Sequence, residues 1–193
     1  MSVSIIENIR QYINLSSSEA DRVLACARLR KLRRKQILLQ EGDVGHARWY
    51  VQTGCLYGYD LNDNGEVHVI KFAVENTWIS DMHSFLTGQP SRLNIETVEA
   101  SEVWEVNKSA WDQLYLAIPQ LERYGRILME TAFVAMQDRV LAGISQTAEA
   151  RYVAFAESSP LLNEHLPQYL IASYLGITPE FLSKIKKKIA SRS

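Results

Sequence analysis

The chain of 193 residues carries only two cysteines, Cys26 and Cys55, far apart and in no CxxC arrangement. That excludes a disulfide framework and a cysteine-ligated cluster. Histidine is as sparse. His46, His68, His83 and His165 stand alone with no HxH or HxxxH pair, so metal-dependent catalysis and haem ligation lack their customary donors. Apolar runs stop at about five residues, against the roughly 18 that cross a bilayer. Met1 to Arg10 has neither the basic start nor the apolar core of a secretory signal, and the expected compartment is the cytosol. There is no GxSxG elbow, P-loop or glycine-rich dinucleotide turn, so no enzymatic activity and no cofactor are expected. What remains is ordinary globular composition, 47% apolar and 22% charged.

The net charge of −1 hides an asymmetry. From Arg151 onward there are six basic and three acidic residues, whereas the first 150 residues hold fifteen basic and nineteen acidic ones. Five of the C-terminal cations fall within Lys184 to Arg192. A cationic appendage on an acidic body is the footprint of a small nucleic-acid-binding domain. A second basic run, Arg28 to Lys35, leads into an apolar strand and reads as a charged sheet edge that resists pairing with other chains.

The hydrophobic period changes twice along the chain. Ile5, Ile6, Ile9 and Ile13, then Ala20, Val23, Leu24 and Ala27, follow a helical period. After Lys35 the period becomes two, with strands around Gln36–Gln40, Trp49–Tyr59, Val67–Phe72, Ile95–Val98 and Glu102–Val106. Asp63-Asn64-Gly65 signals a hairpin, and Gly42, Gly54 and Gly65 are spaced as the corners of a compact β-roll. Ala73 to Leu93 reads as an irregular loop of a length that is usually functional. From Asn107, a candidate N-cap, the pattern is helical again. One helix is expected from Pro119 to about Gln146, with Leu121, Tyr124, Leu128, Ala132, Ala135, Met136 and Val140 on an apolar stripe. That is too long for one small roll to cover, so the stripe is expected to pair with a second copy of the chain. The expected domains are a sensor roll over 1–118, the dimerisation helix and hinge over 119–146, and a DNA-binding domain over 147–193.

Leu166 to Ile189 fits a helix-turn-helix closely. Ile171, Ala172 and Leu175 form the buried face of its first helix, Gly176 supplies the turn, and Ile177 fills the space between helices. Thr178 caps the second helix, Pro179 takes its first position, and Glu180 suits the positive end of its dipole. Leu182, Ile185 and Ile189 pack back on the first helix, which turns Glu180, Phe181, Ser183, Lys184, Lys187 and Lys188 outward. Thr178, Glu180, Phe181 and Ser183 are placed to meet base edges, and the three lysines to meet phosphates.

Strand-rich roll, long helix and helix-turn-helix, in that order, resemble the Crp/Fnr family of bacterial transcription regulators over nearly the whole chain. The matching residues are Glu41-Gly42-Asp43, Tyr50-Val51 with Gly54 and Leu56, the Asn64-Gly65 hairpin, and Ile171 to Ile185. The resemblance implies an α+β fold: an antiparallel β-roll of the cyclic-nucleotide-binding type (a double-stranded β-helix) with flanking helices, a long dimerisation helix and a small all-α reader. It implies a homodimer, a palindromic operator in double-stranded DNA and a contact with RNA polymerase. Two departures stand out. Family members that bind cyclic nucleotides carry Gly-Glu-Leu and, about ten residues on, Arg-Ser or Arg-Thr followed by Ala. Here the first triplet falls at Ser80-Asp81-Met82 and the second at Ser91-Arg92-Leu93. The arginine is one position late, which in strand geometry turns it to the opposite face. Ser80, Asp81, Ser91 and Arg92 are therefore the candidate ligand-pocket residues, with cyclic AMP and cyclic GMP not expected to bind. The second departure is that only Ala190 to Ser193 follow the second helix, so the family's C-terminal wing is expected to be missing. The rival reading is a degenerate sensor that acts through protein contacts without specific DNA binding.

Overall fold

The computed structural model describes residues 4–191; Arg192 of the cationic cluster lies outside the described residues. In order, the elements are α1 (Ile5–Arg10), α2 (Ser17–Cys26), β1 (Arg28–Leu32), β2 (Ile37–Leu39), β3 (Ala47–Thr53), β4 (Leu56–Leu61), β5 (Val67–Ala73) and β6 (Trp78–Ile79). They continue with α3 (Met82–Thr87), β7 (Asn94–Thr97), β8 (Ser101–Asn107), α4 (Lys108–Ala117), α5 (Gln120–Ser145), α6 (Ala148–Ser158), α7 (Pro160–His165), α8 (Gln168–Leu175) and α9 (Pro179–Ala190). The chain forms two compact units. One comprises Met1–Asp60 with Ile70–Met129, the other Leu61–Val69 with Glu130–Ser193. One of the divisions between them falls inside α5, whose first turns pack into the core of the first unit.

Two four-stranded sheets, in the orders β1-β8-β3-β6 and β2-β7-β4-β5, make the roll. Leu32, Leu39, Trp49, Val51, Leu56, Ile79, Ile95 and Val103 fill one of its two cores. β1 is an edge strand whose cations meet acids on β8: Arg30 with Glu105 at 2.5 Å and Lys31 with Glu102 at 3.0 Å. The charged run is thus a sheet edge. At Gly54 the backbone has φ of +91°, and a Cβ there would come within 2.3 Å of the Ser101 hydroxyl. Only glycine fits that corner. The Cys55 thiol beside it is buried, and desolvation pushes its pKa up to about 12.

A second core lies between Tyr50, Trp78 and Val106 and the helices, where Ile5, Ile9, Val23, Trp111, Leu114, Ile118, Leu121 and Tyr124 converge. Two expectations change here. Ala73 to Leu93 is not a loop: it holds β6 and α3, with the Asp81 carboxylate accepting from the His83 and Ser84 amides and Gly88 closing the helix at φ +71°. Both elements are too short for a hydrophobic period to register. Leu121 and Tyr124 are fully buried in this core, and Leu128 packs against it, so these three do not lie on an open stripe. Asn107 does precede α4, but its side chain makes no capping bond.

The Tyr124 hydroxyl accepts from Trp78 Nε1 at 2.7 Å and donates to Asn8 Oδ1 at 2.7 Å. Arg48 is buried nearby, its guanidinium 5.3 Å from the Trp78 ring and 5.4 Å from that of Trp111. Burial lowers the pKa of this cation, and the Tyr115 and Tyr124 phenols oppose that. Tyr124→Phe leaves the Trp78 N–H and the Asn8 oxygen unpaired in the core. A loss of about 1–3 kcal/mol is expected, read as a lower urea midpoint at unchanged slope.

Candidate nucleic-acid interface and effector pocket

The second unit is built on α6, whose Tyr152 and Phe155 are buried, and on α8 and α9, which pack on one another. Leu170, Ile171, Ala172 and Leu175 of α8 meet Leu182 and Ile185 of α9, all buried. α8 ends in a glycine cap. Gly176 takes φ +66°, its amide bonds the Ser173 carbonyl, and the Ile177 amide bonds that of Ala172, both at 3.0 Å. The Thr178 hydroxyl accepts from the Phe181 amide at 3.2 Å, and Pro179 opens α9. Backbone and Thr178 hydrogen bonds hold the Glu180 carboxyl below the usual range, so a negative charge stands at the positive end of α9.

Thr178, Glu180, Phe181, Ser183, Lys184, Lys187 and Lys188 are all exposed, as their spacing predicts. Two lysines of α9 have other business. Lys188 is paired with Glu149 of α6, and Lys186 lies over the Tyr152 ring at 5.7 Å. Sequence patterning misses how α8 is anchored. Arg139 of α5 donates to the Tyr174 carbonyl at 3.1 Å and covers its ring at 4.2 Å. Arg151 of α6 donates to the Leu175 carbonyl at 3.1 Å. Two arginines thus satisfy carbonyls that a helix terminus leaves open.

On α5, Ala132, Ala135, Met136, Val140 and Ile144 are exposed, together with Phe133, Val134 and Leu141. Met129, Phe133, Met136 and Val140 recur by four, three and four, the spacing of a coiled-coil seam.

Of the four pocket candidates the structure brings two together. Asp81 and Ser91 are 5% and 2% exposed, and the Ser91 hydroxyl donates to Asp81 Oδ2 at 2.6 Å. Ser80 instead sets its hydroxyl on the Met82 sulfur at 3.2 Å. Arg92 is exposed and sits in a bend before β7, not in strand geometry. The amides opening α3 and the Ser91 hydroxyl are thus spent on the protein's own carboxylate. Among the described residues no three His, Cys, Asp or Glu side chains gather as a metal site.

Residues 29–117 match the model of the cyclic nucleotide-binding domain. The transcriptional activator protein Anr of Pseudomonas protegens is 24% identical over 167 residues, covering 81% of this chain and 68% of that protein. The chain is thus similar to that regulator over most of its length. FixK2 from Bradyrhizobium japonicum shares the fold at a TM-score of 0.74 and 18% identity, over 86% of this chain and 85% of that one. A crp/fnr-family structure from Eubacterium rectale superposes at 0.70 and 14%, over 94% and 88%.

Proposed function

We propose that the chain is a homodimeric transcription regulator of the cytoplasm that binds a palindromic operator through α9 and does not respond to cyclic AMP or cyclic GMP. The observation that carries this reading is the face of α9: a capped helix, packed through Leu182 and Ile185, turns Glu180, Phe181, Ser183, Lys184 and Lys187 to solvent. Such a helix enters a major groove with its first residues at the base edges, and its later lysines meet phosphates. Dimerisation is supported by Phe133, Met136, Val140 and Ile144, which are 70%, 50%, 54% and 80% exposed on one helix. An apolar seam of that extent marks a contact surface. Contact with RNA polymerase belongs to the same reading through the resemblance to the Crp/Fnr family. Against cyclic nucleotides stands the cassette, in which the cation that would meet the phosphate is displaced to the surface at Arg92 and the Asp81 carboxylate is held by Ser91.

Selection of random duplexes on the purified chain should recover an inverted repeat with half-sites about 34 Å apart. Lys184→Ala should weaken binding across sequences and lower the salt slope by about one. Sequence-blind binding in every selection would favour the reading as a protein-contact sensor. Val140→Glu should turn the dimer into monomers in sedimentation equilibrium. Each copy loses about 1.5–3 kcal/mol of apolar burial, so the dissociation constant should rise more than about a hundredfold. Calorimetry with cyclic AMP and cyclic GMP should show no micromolar binding, and micromolar affinity abolished by Arg92→Ala would overturn that part of the reading.

A further inference from the structure

The second unit includes Leu61–Val69, which in chain order belongs between β4 and β5. β5 ends its sheet, so among the described residues one side of its backbone has no neighbouring strand. Residues two apart in a strand present their amides and carbonyls on the same side, and at Val67 and Val69 those groups are taken by helix side chains. The Ser173 hydroxyl accepts from the Val69 amide at 2.9 Å and donates to the Val67 carbonyl at 2.5 Å. One hydroxyl of α8 thereby does what a partner strand would do. Arg139 donates to the Val69 carbonyl at 2.9 Å with the same nitrogen that reaches the Tyr174 carbonyl. The free edge of β5 over residues 67–69 is thus fastened to the first helix of the helix-turn-helix, one residue before its two arginine-capped carbonyls.

We propose that this is an inhibitory latch. Ser173 and Arg139 hold α8 on the hairpin and restrain the reader from taking operator DNA, and release of the edge frees it. The inference rests on the DNA-binding reading above. Its chemistry suits reversal, because the contacts are side chain to backbone and water replaces them once the edge opens. None of Ser173, Arg139 and Tyr174 belongs to the outward face of α9, so holding them adds nothing to base or phosphate contact. In the latched arrangement Lys188 is also drawn back to Glu149 and away from phosphate duty.

The test compares the full chain with Ser173→Ala and Arg139→Met, by amide hydrogen exchange without DNA and by anisotropy with the selected operator. Alanine is the best helix former, so Ser173→Ala removes the hook without weakening α8. The Val69 amide should exchange about tenfold faster or more, while the amides of Ile171, Ala172 and Leu182 keep their protection. Operator affinity should rise about fivefold or more in both variants. Unchanged exchange at Val69 overturns the latch. Lost protection in α8 and α9 makes Ser173 a structural residue and overturns it too. A freed hairpin with equal or weaker operator affinity overturns the inhibitory role. Binding by the variants alone supports it most directly. Failure of all three forms to bind any duplex overturns the DNA-binding reading and the inhibitory role with it, while exchange at Val69 still decides whether the hairpin is fastened.

Discussion

A single phenol sets where the long helix begins. Tyr124 stands in the second turn of α5, and its hydroxyl is shared between Trp78 on β6 and Asn8 on α1. Three elements distant in sequence are tied at one buried oxygen, and each has a polar group that would be costly to leave alone there. Burial keeps the phenol protonated, so it can donate to one partner while accepting from the other. Arg48 adds a second constraint in the same layer. Its charge is balanced by indole faces and a phenol rather than by a carboxylate, which explains why three large aromatic residues crowd a place where aliphatic packing would fill the volume as well.

With the start of α5 fixed in this way, its surroundings change along its length. One helix therefore has two consecutive burial regimes: Leu121 and Tyr124 inside, then Phe133, Met136 and Val140 open to solvent. The segment around α3 answers to a different logic. Asp81 caps α3 and holds Ser91, so the stretch between β6 and β7 is knit together from within. The same carboxylate explains the order of the segment.

Much of this was legible in the chain, for a reason that can be named. Capping is local chemistry. Thr178, Pro179 and Gly176 state the helix-turn-helix within four residues, and the packed positions around them follow a period of 3.6. The strands of the roll announced themselves by alternation and by the turn at Asn64-Gly65. β6 and α3 did not, since two and six residues carry too little pattern. The stripe on α5 was read as continuous because periodicity records which residues share a face and is silent about what that face meets. The anchoring of α8 was beyond reach altogether. Ser173 and Val69 are 104 residues apart, and a backbone edge has no residue type by which to advertise itself.

The hairpin bears on how such proteins can be taken apart and recombined. A C-terminal piece cut from Glu130 onward would leave residues 61–69 behind, and with them the groups that Ser173 and Arg139 occupy. Grafting that piece onto a foreign partner would strand the Ser173 hydroxyl and take from Arg139 one of its two carbonyl acceptors. Exchange of sensors between such chains is then a trade in two discontinuous pieces. A strand edge and a helix would have to travel together, so the natural unit of shuffling is larger than the helix-turn-helix it serves.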